Sequence, residues 1–475
     1  MKTALFCAFV LSLSCGPVAA DTARTAVSTD VGPATAVPGI GQAQLSADYW
    51  LVQHPDPDAV IFAAAAVARH NARLAELDDT LNNLATLPLQ MTADDVRQRV
   101  GRFANQPEQP LWDEHGQPVP SDTLAGIVAN IGLDRIAAAT SPRFGLVLRR
   151  ANLRGLPTSL RVFSSQGDTD IDRLQETALF PGTPVAIVHR SRDGAWLFAI
   201  SPLYSAWIQT DDVAEGERAQ VIDYANAEPS LLVIGAVVRT VFTPERPALS
   251  ELRLDMGTRL PIVTDWPANR PLNGQNPYTG TTVLLPVRAA DGSLALAPAL
   301  VPGSAEVSRS PLPLTGGNLV RQAFRFLGER YGWGHGYDGR DCSGFVSEVY
   351  RSMGVVLPRN SRDQGLSPAL DRASFSETSS SAERQAGIAS LKVGDLVYIP
   401  GHVMMVVGHV AGEPYVIHDT TGMSVRDAAG QIQRIVLNGV SVTPLQTLLF
   451  NDTQTYTERM YSIVRIRPTK ARTRP

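Results

Sequence analysis

The chain has 475 residues, 44% hydrophobic and 19% charged, with a formal net charge of −4. That length is more than one core can organise, so three or four compact units are expected. The mild acidic balance excludes a strong polyanion partner such as nucleic acid.

Residues 1–20 read as a signal peptide. Lys2 gives a short basic start, Ala4 to Leu13 is an apolar run, and Val18-Ala19-Ala20 supplies small residues for cleavage before Asp21. The run is too short to span a bilayer, and no later run is long enough. Export to the periplasm or cell envelope is therefore expected. A lipid anchor on Cys15 is the rival reading, which Ser12-Leu13-Ser14 fits poorly. The chain has three cysteines, Cys7, Cys15 and Cys342, and the first two leave with the signal. One thiol then remains in a compartment that favours disulfides, where it is either buried and inert or present for its reactivity.

Residues 21–135 form the next expected unit, largely helical after a low-structure start to about Gln42. Residues 60–78 are Ala-rich. Thr92-Ala93-Asp94-Asp95 resembles a capping sequence, followed by Val96, Val100 and Phe103 at helical spacing. No catalytic constellation stands out here.

Residues 140–300 change to short β-rich runs. Val185 to His189 and Ala195 to Ile200 flank Arg192-Asp193-Gly194, a hairpin signal. Leu231 to Phe242, Leu260 to Val263 and Thr282 to Val287 continue the pattern, and Asp291-Gly292 marks a further turn. Two small β-barrels are expected, at 140–225 and 230–303. Val301 to Ser304 and Ser310 to Pro313 read as a linker.

The last unit, 310–470, is expected to be α+β. Val320, Ala323, Phe324 and Leu327 share a helical face, as do Phe345, Val346, Val349 and Tyr350. Strands follow at Leu396 to Ile399, Val403 to Val407 and Tyr415 to His418. The Ser-rich stretch 374–386 reads as a surface loop.

The chemistry concentrates in this unit. Cys342 stands where an apolar helical pattern begins. Unpaired amides and the positive end of the helix dipole favour a thiolate there. His402 follows the Pro400-Gly401 turn and opens a strand, and antiparallel pairing brings His418 beside it. An imidazole base needs a third group to fix its tautomer, and His418 fits that role. Taken singly, each has a plainer reading: Cys342 as core packing, His402 as a satisfied turn residue, His418 as a polar strand residue. The joint arrangement favours catalysis. His409 lies at the far end of its strand, and His335 is close enough in sequence to crowd Cys342.

Residues 315–465 resemble an NlpC-type papain-like cysteine peptidase domain. The resemblance rests on Tyr331-Gly332-Trp333-Gly334, Asp341-Cys342-Ser343-Gly344-Phe345, Leu357-Pro358-Arg359, Gly394-Asp395-Leu396, Gly401-His402-Val403 and Ile417-His418. It implies Cys342 as nucleophile, His402 as base, His418 as orienter and Tyr331 near the oxyanion. It further implies Trp333, Asp341, Ser343, Arg359 and Asn360 as substrate-binding residues. The upstream layout is similar to one subgroup, with a helical segment and two bacterial SH3-like barrels before the peptidase. Asn152 to Thr158 resembles the opening of the first barrel. There Trp196, Tyr204 or Trp207 would wall the cleft, and Trp207 is taken as a further substrate-binding residue. Two positions depart from the family pattern. His335 replaces a second glycine, and Asn360 stands where an aspartate often faces the substrate amine, a role that Asp363 nearby is placed to assume.

The implied activity is hydrolysis of the γ-D-glutamyl–diamino acid bond in peptidoglycan stem peptides or muropeptides, by a monomer without a cofactor. The histidines lack metal-ligand spacing. An amidase or acyltransferase using the same dyad, and a non-catalytic wall-binding protein, are the alternatives.

Overall fold

The computed structural model describes residues 31–104 and 109–467. The expected signal peptide, with Cys7 and Cys15, lies outside the described residues. Among those described, no helix is long and apolar enough to cross a membrane.

The N-terminal segment carries helices Ala47–Gln53, Ala64–Leu77, Ala93–Gly101 and Ser121–Asn130. Thr92 caps the third: its hydroxyl accepts from the Asp95 amide while the Asp95 carboxylate accepts from the Thr92 amide. The Ala-rich stretch is helical only from Ala64. Val60–Phe62, a β-branched and aromatic run, instead pairs antiparallel with Leu314–Thr315 at the head of the C-terminal unit. Trp50 fastens the same segment to the C-terminal sheet. It is 2% exposed, its ring lies 5.4 Å from that of Tyr415, and a Cβ at Gly408 would sit 2.6 Å from it.

The first β unit is a seven-stranded sheet running from Arg143 to Gly216. Its pairings are antiparallel throughout. Gly194 has φ +75° in the turn between Pro184–Arg190 and Trp196–Ile200, where a side chain would be strained. The second unit pairs Ser230–Val233 with Arg259–Pro261 and Val307–Ser308, Val237–Arg239 with Arg253–Asp255, and Gly280–Arg288 with Leu294–Pro302. Val301 and Pro302 therefore belong to a strand rather than a linker: their register with Thr281 and Gly280 extends the hairpin, and Val301 is fully buried.

In the C-terminal unit, helices Gly316–Phe324 and Cys342–Arg351 precede a six-stranded antiparallel sheet. Its strand order is Asp371–Ser374, Ser462–Arg465, Leu396–Ile399, His402–Val410, Glu413–Arg426 and Ile432–Pro444. The Ser-rich stretch is not a loop. It contains helix Ser381–Ala389, opened by a reciprocal Ser380–Glu383 cap and pinned by buried Arg384, which donates to the Thr457 and Met460 carbonyls.

One carboxylate ties three units together. Asp255, of the second β unit and fully buried, accepts from Arg150 of the first (2.6 Å), from its neighbour Arg253 (2.8 Å) and from Arg340 of the C-terminal unit (3.0 Å). Arg340, also fully buried, further pairs with Glu348 and Glu329 and lies over the Phe326 ring. The residue before Asp341 and Cys342 is thus fixed by the domain junction.

Candidate active site

Cys342 is the first residue of its helix, and Asp341 caps it by accepting from the Gly344 amide at 2.8 Å. The first amides of a helix have no acceptor within it, so the Cys342 N–H is available at the site. The Cys342 sulfur itself takes a hydrogen bond from the Val403 amide, one residue beyond His402. The Cys342 helix therefore abuts the mouth of the His402 strand. That strand is set by a two-residue turn, with Ile399 paired to His402 and Gly401 at φ +79°.

His402 Nε2 lies 2.7 Å from His418 Nδ1, and His418 Nε2 lies 3.0 Å from Thr443 Oγ1. Three adjacent strands thus supply one line of polar groups. With Nε2 of His402 occupied by His418, Nδ1 is the ring nitrogen left for a thiol proton. Thr443 was not picked out from the sequence; as one hydroxyl in a β-branched run, it carries no spacing signal. Tyr456, whose ring centre lies 6.3 Å from that of His402, was missed likewise.

Burial dominates the electrostatics. It pushes the Cys342 thiol up to about 12, with Asp341 adding to the rise and the Val403 hydrogen bond opposing it. Burial also pushes His402 down to about 4. His418 is held well below its ordinary value by burial and by His402. Both shifts favour a thiol beside a neutral imidazole and oppose the thiolate expected from the helix N-terminus, since Cys342 keeps only 7% of its surface. Burial, then Cys342 and Asp341 nearby, holds the Tyr331 phenol well above its ordinary value, so its hydroxyl stays a donor. Beside them Asp419 is fully buried, and neither carboxylate oxygen has a hydrogen-bond partner among the described residues. Burial, with Asp341 and Glu329 nearby, pushes it well above the ordinary carboxylate range.

The expected substrate-binding residues divide. Asp341, Ser343 and Arg359 bind one another. Arg359 spends its donors on Asp341 (2.7 and 3.1 Å), Ser343 (2.9 Å), Thr177 (2.5 Å) and His335 (2.9 Å). No N–H of that guanidinium is left for a substrate. These three form a buried cluster beside Cys342, and Arg359 holds the Asp341 carboxyl down to about 2 against its burial. Trp207 is a correction. It is fully buried in the first β unit against Phe198 and has no face to offer a cleft. Trp196, 6% exposed, packs in the same core.

Trp333 stays 38% exposed, while its indole N–H donates to the Gln175 carbonyl at 3.0 Å. Asn360 is exposed and donates to Asp363 at 2.8 Å, so the two side chains act as a pair. From the first β unit, Tyr204 donates to the Glu176 carboxylate, and both feel the Arg359 charge. Gln175 also donates to the Gly334 carbonyl at 2.8 Å, which lashes that unit to the loop before the nucleophile.

His335 does not crowd the thiol. Its Nδ1 accepts from Arg359 and its Nε2 lies 3.0 Å from Glu348, on the far side of Gly344, where a Cβ would come within 2.4 Å of the ring. His409 pairs with Pro414 at the distal end of the strand.

Fold and site define an α+β domain built around a cysteine at a helix start and a histidine pair on adjacent strands. The sequence matches the NlpC/P60 family over residues 328–442 and an SH3 domain of the SH3b1 type over residues 161–209. The chain carries an NlpC/P60 domain behind an SH3b1-type domain. A 97-residue stretch is 36% identical to a probable endopeptidase p60 of Listeria welshimeri, covering 19% of this chain and only 16% of that relative's length. The fold is shared with an NlpC/P60 endopeptidase from Photobacterium damselae subsp. piscicida, at TM-score 0.68 and 17% identity over 86% of this chain and 94% of that one. An NlpC/P60 family protein from Bacillus cereus aligns at TM-score 0.46 and 20% identity, covering 68% of this chain and 100% of that one.

Proposed function

We propose that the protein is an exported cysteine endopeptidase that hydrolyses the γ-D-glutamyl–diamino acid bond of peptidoglycan stem peptides or muropeptides. The observation that carries this reading is the imidazole pair. A hydrogen bond of 2.7 Å leaves Nδ1 of His402 free, on the strand whose next amide binds the Cys342 sulfur.

In the proposed reaction the Cys342 thiol proton passes to His402 Nδ1 as sulfur attacks the scissile carbonyl. His402 Nε2–H donates to neutral His418, which in turn donates to Thr443. That chain fixes the tautomer and spreads the new positive charge. The oxyanion is received by the Cys342 amide and the Tyr331 hydroxyl, each such donor typically being worth about 10²–10³ in rate. The His402 proton then goes to the leaving amine, giving a thioester. Water attacks the thioester with His402 as base and restores the thiol. Because the resting pair is neutral, the nucleophile is generated during attack rather than stored beforehand.

The test is incubation of the mature protein with defined muropeptides, read by product mass. Cleavage after γ-D-glutamate is expected, and Cys342→Ala is expected to abolish it with the fold intact. Release of the whole stem from its sugar would assign an amidase instead. Full turnover by Cys342→Ala would remove the nucleophile assignment. Stems with free and blocked N-terminal alanine read out whether Glu176, Tyr204 and the Asn360–Asp363 pair meet a substrate amine.

A further inference from the structure

A cavity of about 850 Å³ lies between the domains, with Tyr204, Gly344 and Arg359 among its walls but not Cys342 or His402. That volume is within the roughly 300–1,000 Å³ of small-molecule sites. All parts of the molecule contribute walls: the N-terminal segment, both β units and the outer side of the nucleophile helix. The walls are largely apolar, with Leu84, Leu179, Phe180, Ile222 and Leu232 among them.

One polar group on these walls has no hydrogen-bonded partner. Arg351, in the last turn of the Cys342 helix, makes no hydrogen bond or ion pair among the described residues, and burial holds its guanidinium below the ordinary value against the attraction of Glu348. Its stem lies so close on Gly257 that a Cβ there would sit 2.6 Å from Arg351 Cδ. Other charges on the walls are already matched: Glu348 with Arg340 and His335, Arg359 with Asp341, Glu228 with Arg259. Arg309, at the exposed rim, adds a second unmatched cation. The cavity is therefore apolar with a net positive charge at one end.

We propose that this inter-domain cavity binds an organic monocarboxylate with an apolar body, its carboxylate held by the Arg351 fork. A carboxylate satisfies that cation, and a planar guanidinium receives it through two parallel hydrogen bonds. The apolar body accounts for the remaining walls. A ligand there touches every domain, so its binding also clamps the junction.

The probes are decanoate, decanol and acetate, titrated calorimetrically into the full chain. Decanoate should bind, and acetate, which lacks the apolar body, should bind far more weakly. Arg351→Met should weaken decanoate by about tenfold or more, from the lost charged hydrogen bonds, and leave decanol unchanged. The melting temperature without ligand should not fall in Arg351→Met, because the guanidinium has no partner to lose. If that variant does not fold, Arg351→Lys, which keeps the charge and removes the fork, carries the same comparison. Equal affinity of decanoate for wild type and variant, or equal losses of decanoate and decanol, overturns the proposal.

Discussion

His402 meets His418 through Nε2 and not Nδ1, at 2.7 Å, and His418 passes the line on to Thr443. The first prediction concerns this relay. His418→Ala should lower kcat on the order of 10²-fold, the scale of a lost general-base orientation, with little change in KM. Thr443→Val should lower it less, because a neutral His418 keeps its bond to His402. Steady-state kinetics on a muropeptide substrate measures both, and an unchanged kcat in His418→Ala would remove the orienting role.

The second prediction is a pH profile. With the thiol raised to about 12 and His402 lowered to about 4, the active form, thiol with neutral imidazole, spans the range between them. The acid limb of kcat/KM should therefore lie well below the ordinary imidazole value of about 6.5. Alkylation of Cys342 by iodoacetamide at neutral pH should be slower than for a free thiol and should rise with pH. Rapid alkylation that is flat from pH 5 to 8 would instead indicate a stored ion pair.

Asp419 gives a third. Its folded form holds its proton well above the ordinary range, whereas the unfolded carboxyl ionises near 3.9. As pH rises past that point the unfolded state loses a proton that the folded state keeps. This group therefore subtracts stability with a limiting slope of about 1.4 kcal/mol per pH unit. Asp419→Asn resembles the protonated acid and should be the more stable protein at pH 8, with the advantage vanishing near pH 3. Chemical denaturation at the two pH values measures it. Equal stability of the two proteins at pH 8 would show the carboxylate to be solvated or paired.

The Asp255 junction supplies a fourth. Removing its carboxylate takes a shared partner from Arg150, Arg253 and the fully buried Arg340, which keeps Glu348 and Glu329. Breaking a buried pair from one side costs roughly 3–5 kcal/mol. Asp255→Ala should lose at least that, and limited proteolysis should cut between the domains. Arg253→Ala, which leaves the other two pairs in place, should cost much less.

The parts of the site that were legible in the sequence are those with local signals. Asp341-Cys342 announced a helix start, Pro400-Gly401 a turn, and the spacing of His402 and His418 a strand pair. Ser380 and Glu383 held a readable cap, but the surrounding serines masked it. What sequence left hidden is set by long-range packing. Arg359 carries no mark of being saturated by Thr177, which is 182 positions away. Trp207 looks the same in sequence whether it lines a cleft or fills a core, and only its neighbours Phe198 and His189 decide. The thiol's raised pKa follows from its burial, with Asp341 beside it, and burial is something no local motif encodes.

Trp50 occupies a slot against Gly408 and Tyr415 that only a glycine leaves open. An excised fragment beginning near residue 310 would lose that peg and uncover an oily strip along the sheet, together with the unpaired edge at Leu314–Thr315. Dissection of this molecule into working pieces should therefore keep its leading helices with its last domain, although some 260 residues of chain separate them.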